Sequence, residues 1–239
     1  MDLRILHRRA YQLGVILCFL WACHYDPHQS GGIDNPVYRK LAWFSYLDGS
    51  DIRDGCVAGS PVRYRLIYNG QYEKQVRSYE ISATGAGATL LARSASGLGT
   101  LNFTLGSPSD IFGPWRWRTA RVTLTPEEYR DFRALLAQSG FHDGAPNGKR
   151  LYSRDYYWVA QGCEDGRYYF NAWVHAQGDF TRVRFSNFLL AHDQTGDAFR
   201  PPRPVSAAER EERLNPQNRS SDPIFVLTVR DNGIGGVTR

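Results

Sequence analysis

A chain of 239 residues with 42% apolar and 13% aromatic residues has ample material for a buried core. Its formal net charge of +5 is too small, beside that apolar content, for an intrinsically disordered chain. The basic residues, 26 of them arginine and three lysine, are scattered along the sequence rather than gathered in one run, which argues against a nucleic-acid partner.

The first predicted element is an export signal over residues 1–22. Arg4, Arg8 and Arg9 precede the apolar run Leu13–Ala22, the order of a positive n-region and a short h-region. Ten apolar residues in a helix rise about 15 Å, half of a hydrocarbon core of about 30 Å, so the run is a poor permanent span. No register near its end supplies the small residues that an ordinary signal peptidase requires at both positions before the cut. Leu20-Trp21-Ala22-Cys23 resembles the lipobox of bacterial lipoproteins, although Trp21 stands where that family usually carries a small or β-branched residue. The resemblance covers only this leader. It implies that Cys23 becomes an acylated first residue and that the partner of the amino terminus is a membrane. Because His24 and not Asp follows the cysteine, it also implies a periplasm-facing place on the outer rather than the inner membrane.

Residues 23–34 are polar, contain Pro27 and Gly31-Gly32, and read as a tether; one domain is expected over 35–230. Pro36 to Leu47 places Val37, Tyr38, Leu41, Ala42, Phe44 and Leu47 near a 3.6-residue period, which predicts a first helix. Val62 to Tyr68 alternates apolar with largely basic residues and ends at Asn69-Gly70, expected to be a two-residue hairpin turn. Further strands are expected over about 73–83, 88–93, 100–105 and 115–124. Thr125-Pro126-Glu127-Glu128 then predicts a capped helix start, followed by the stripe Tyr129, Phe132, Leu135 and Leu136, with Gly140 ending it. Residues 152–161 and 167–175 read as a hairpin with Cys163 at its tip. Phe185 to Ala191 favours a helix, residues 223–230 a last strand, and residues 231–239 a flexible glycine tail. The fold class expected is α+β: an antiparallel sheet of short strands with helices packed mainly on one face.

Of the four cysteines, Cys18 leaves with the signal and Cys23 is the acyl acceptor, which leaves Cys56 and Cys163. In an oxidising compartment this pair is expected to be bridged; the alternative is two buried thiols. Neither has a second cysteine or histidine at zinc-site spacing.

Binding candidates are aromatic. Trp115, Trp117 and Arg118 precede the capped helix, and Trp158 and Trp173 lie on the two arms of the hairpin; each tryptophan reads either as core or as a stacking surface for sugar or peptide. His24, Asp26 and His28 carry metal-ligating groups, but on a tether with Pro27 between them they are not expected to form a site. Asp231-Asn232-Gly233-Ile234-Gly235 resembles the D-x-G-x-G box of histidine-kinase-type ATPases. That likeness is rejected, since the box normally sits mid-domain with a lid after it. The sequence contains no G-x-S-x-G, H-E-x-x-H, P-loop or helix-opening G-x-G-x-x-G, so no catalytic residue, metal or cofactor is assigned. The expected role is a non-catalytic binding or structural module of the cell envelope with a protein or glycan partner. The alternatives are a cell-wall hydrolase using Asp155 or Glu164 with His175, and an inhibitor or immunity-type lipoprotein.

Overall fold

A computed structural model describes residues 25–26, 32–72, 74–96, 117–204, 206, 209 and 225–238. The chain divides into two compact units, Met1–Asp51 and Ile52–Arg239, where the sequence suggested a tether and one domain beginning at residue 35.

In the first unit α1 spans Pro36–Asp48. Asn35 supplies its N-cap: the side-chain oxygen accepts from the Tyr38 amide at 3.2 Å. Tyr38, Ala42, Trp43, Tyr46 and Leu47 are buried, while Phe44 is half-buried. Part of the expected tether is held to this helix. Tyr25 donates its amide to Ser45 Oγ at 2.9 Å and sets its ring edge-on to Tyr46, with centroids 4.9 Å apart. A short helix α2, Ser50–Asp54, runs across the boundary between the units.

The second unit carries β1 (Arg63–Gly70), β2 (Gln75–Thr84), β3 (Gly87–Ser96), β4 (Arg118–Leu124), β5 (Arg150–Tyr152), β6 (Tyr156–Glu164), β7 (Arg167–Val174), β8 (Val226–Arg230) and β9 (Gly233–Thr238), with α3 over Pro126–Gln138 and α4 over Ser186–Ala191. Six strands form one antiparallel sheet in the order β4-β3-β2-β1-β6-β7, and β5-β8-β9 form a second. The chain is therefore α+β, as expected.

Strand alternation sends Tyr64, Leu66 and Tyr68 of β1, Tyr79 and Ile81 of β2, and Trp158 of β6 to one face of the large sheet, where α3 and the α4 segment cover them with Phe132, Leu136, Phe185 and Leu189. The α3 start is a full capping box. Thr125 Oγ1 accepts from the Glu128 amide at 3.2 Å, and Glu128 Oε2 accepts from the Thr125 amide at 2.8 Å. Its far end leaves orphan carbonyls that β7 satisfies: Asn171 Nδ2 donates to Gly140 O at 2.6 Å and Trp173 Nε1 to Ser139 O at 3.0 Å. Gly140 is left-handed at φ 76°, and a β-carbon there would lie 2.4 Å from Arg182 Nη2.

Past α4, residues 193–200 form a strap across the end of β2 and β3. Arg77 pairs with Asp193 and donates to Asp197 O. Tyr79 Oη donates to Asp193 Oδ2 at 2.7 Å, and Ser94 Oγ and Ser96 Oγ donate to Asp197 Oδ2 at 2.6 and 2.7 Å. Burial opposes ionisation of both aspartates, but the hydroxyl donors and the Arg77 guanidinium outweigh it and hold both carboxyls below the usual range.

Three expectations need correction. Asn69-Gly70 is not a hairpin turn: β1 continues through it, Asn69 faces Val76, and the reversal lies between Gly70 and Gln75. Tertiary contacts decide this, because Asn69 Nδ2 is bound to Ser153 O at 2.9 Å and Asp155 O at 2.6 Å, and Tyr72 N donates to Ser153 O at 2.7 Å. Cys163 lies within β6 rather than at the hairpin tip, since Asp165-Gly166, at φ 52° and 76°, makes the two-residue turn with Glu164 facing Arg167. The glycine-rich end is not a loose tail but strand β9, returned along β8 by Asp231-Asn232 at φ 50° and 59°. The strand expected over 100–105 lies outside the described residues.

Candidate functional site at the end of the β6–β7 hairpin

Cys56 and Cys163 are bridged, with Cα atoms 5.6 Å apart. Trp158 and Trp173 are 1% and 2% exposed and are core, not stacking surfaces. Phe185 meets both indoles edge-on, each with centroids 5.3 Å apart, so the covering segment takes the face a ligand would need. Trp117 is half-buried and Arg118 exposed where the edge strand β4 begins. Cys23, Trp115, His24 and His28 lie outside the described residues. Among the described residues no group of His, Cys, Asp or Glu is arranged to hold a metal ion, and no helix is long and apolar enough to cross a membrane.

The hairpin does not bring Glu164 to His175. Glu164 ends β6 beside the turn, whereas His175 follows β7 at the other end, roughly 20 Å away or more at about 3.3 Å per strand residue. His175 sits edge-on to Phe180, and Asp155 is buried with its carbonyl accepting from Asn69 and Gln71.

Glu164 instead gathers its own neighbours from three elements. Tyr64 Oη on β1 donates to its Oε1 at 2.7 Å, and His142 Nε2, in the turn after α3, lies 3.1 Å from Oε2. Arg133 Nη2 on α3 lies 3.8 Å from the same oxygen. Facing a carboxylate, Nε2 carries the imidazole proton. The buried Tyr64 hydroxyl is pushed far up by burial and then by the Glu164 carboxylate, so it stays a donor, and burial likewise raises Tyr129 beside it. The His142 ring packs edge-on to Tyr169, centroids 4.8 Å apart, and the Arg167 guanidinium lies 5.0 Å from the centre of the Tyr169 ring. The arrangement pins the hairpin tip to α3 and leaves both Glu164 oxygens occupied by protein donors.

On the other side of the tip lies the loop 56–61. Ser60 closes it on itself: its amide and Oγ donate to Val57 O at 3.0 and 2.7 Å, and its Oγ accepts from Val57 N at 3.2 Å. Gly166 is its seat, for a β-carbon there would lie 2.8 Å from Ala58 N. Val57 is 61% exposed. Glu164 is one of the acid groups the sequence offers, but neither its pairing with His142 nor the loop is legible there. Reading Asp165-Gly166 as the hairpin turn would have set Glu164 opposite Arg167.

No protein-family model matches this chain, and no curated protein or solved structure matches it.

Proposed function

We propose that this chain is an exported, lipid-anchored module of the cell envelope that holds a protein or glycan partner rather than turning over a substrate. The Cys56–Cys163 bridge carries the reading. Such a bond persists in oxidising compartments and is rare in the cytosol, so it supports the same address as the amino-terminal signal while resting on different residues. The non-catalytic part is supported by Glu164, whose two oxygens already accept from Tyr64 and His142 in a way that braces the hairpin.

A second reading, an inhibitor or immunity-type lipoprotein, is favoured by one observation. The exposed loop 56–61 is fixed by the bridge, by Ser60 and by its seat on Gly166, which is how a rigid inhibitory loop is built.

Feeding a palmitate analogue to cells making the full chain, followed by mass spectrometry of the envelope fraction, tests the address. The expected product begins at an acylated Cys23 and is lost in Cys23→Ala. An unacylated chain with an intact Met1, recovered from the cytosol with free thiols at residues 56 and 163, would overturn the reading.

A further inference from the structure

We infer that the outer edge of β4 accepts an added strand: an extended, acidic segment of a protein partner that pairs with β4 through its backbone and sets carboxylates against Arg118 and Arg121. The inference deepens the proposed binding role, taking its partner to be a protein rather than a glycan, and rests on that role.

The two edges of the large sheet are finished differently. Along β7, alternate backbone groups are met by side chains from outside the sheet. Asn232 Oδ1 accepts from the Phe170 amide at 3.1 Å and its Nδ2 donates to Tyr168 O at 3.3 Å. Lys149 Nζ donates to Ala172 O at 2.8 Å, and Asp179 Oδ2 accepts from the Val174 amide at 3.4 Å. That edge is closed to a further strand. β4 pairs with β3 without a register shift from Ser94–Arg118 to Ala88–Leu124, and among the described residues nothing is bonded to its other side. Neither a bulge nor a proline turns a new strand away, and Thr119, Val122 and Thr123 are β-branched.

The chemistry of the occupant follows from charge. Arg118 and Arg121 are exposed, stand on opposite faces of the sheet, and form no ion pair among the described residues. The carboxylates near the strand are already engaged. Asp197 accepts from Ser94 and Ser96 and meets Arg118 only through its field, and Glu80 pairs with Arg93. At the start of α3, Glu127 pairs with Arg130, and Glu128 caps Thr125 and meets His192. Asp131 lies on α3, which covers the face opposite Arg121. A second copy of β4 fits this edge poorly: in the register that pairs the whole strand with itself, Arg121 meets Arg121, and like charges directly opposite destabilise a sheet. An acidic strand meets both arginines with carboxylates three residues apart, one on each face. An apolar residue beside the second carboxylate continues the core past half-buried Val122. Backbone bonds then supply affinity, and the side chains select the sequence.

The test selects binders of the full chain from a library of short random peptides and follows amide exchange in the complexes. The expected binders are rich in β-branched residues and carry Asp or Glu three positions apart, and alternate amides within residues 118–124 become slow to exchange when they are bound. Arg118→Glu and Arg121→Glu are each expected to lose about tenfold in affinity for these peptides and to prefer versions with lysine in place of the facing carboxylate. Arg230→Glu, at the exposed end of β8, is the control and should bind them unchanged. Retention of the Cys56–Cys163 bridge in each variant verifies that it has folded. Binders with no acidic preference, binders that leave the β4 amides unprotected, or β4 amides already slow because the chain self-associates there would overturn the inference. So would a failure to select any peptide, and if the same chain then holds peptidoglycan fragments, the binding role stands and this inference alone falls. Cys23 acylation decides the address separately.

Discussion

Asp193 closes a buried ion pair with Arg77 across 116 residues of sequence, and the same carboxylate oxygen accepts from Tyr79. Its other oxygen takes the Thr195 amide at 2.9 Å and the Thr195 hydroxyl at 2.6 Å. One side chain thus both anchors and shapes the strap. Asp193→Ala leaves the Arg77 cation buried without its counter-charge, and the expected loss is about 3 kcal/mol or more, measured by urea unfolding.

The same two aspartates set the acid limit. Both have native pKa values below the ordinary aspartate value of about 4, so the stability they contribute is fully present above that value. It is lost as pH falls through the lower native values, because the unfolded chain takes up protons first. Unfolding free energy is therefore expected to fall below about pH 4, and the fall should be shallower in Asp193→Asn/Asp197→Asn.

Removing the bridge with Cys56→Ser/Cys163→Ser opens a loop of 107 residues. The expected cost is about 2–5 kcal/mol, read as the difference in unfolding midpoint between oxidised and serine-substituted chains.

Gly166→Ala tests the seat of the loop. The new methyl group meets the Ala58 backbone at a left-handed position, so a destabilisation of more than about 1 kcal/mol is expected, with raised amide exchange confined to residues near 56–61 and 165–166.

Trp173→Phe keeps an aromatic ring near Phe185 but gives up part of the indole's buried volume together with the donor to Ser139 O. The carbonyl at the end of α3 is then buried without its partner, and a loss of about 1–3 kcal/mol is expected in the same urea assay.

What was legible in the sequence was chemistry that acts over a few residues. Thr125 and Glu128 cap α3 because both partners lie within one turn, and Gly140 ends it for the same reason. Asn69-Gly70 carried an equally strong local signal, yet Asn69 is bound to Ser153 and Asp155, more than 80 residues away, and stays in a strand. Trp158 and Trp173 alternated correctly, but alternation does not reveal what lies over a face, and Phe185 does. Glycines gave β9 little strand propensity, so its existence comes from pairing with β8. At the candidate site, Glu164 and His142 were visible as residue types. Their meeting was not, since it depends on where the end of α3 lands on the sheet.

The register between β1 and β6 sets an order of events. Arg63 faces Cys163, and Gly70 faces Tyr156, so the middle of the large sheet joins a strand made early to one made roughly ninety residues later. In chain order β1 to β4 can pair as a four-stranded meander by themselves, and the side of β1 that faces β6 stays unpaired until β6 joins. Cys56, just ahead of β1, and Cys163, near the end of β6, are placed to clasp this late-closing seam once it has formed.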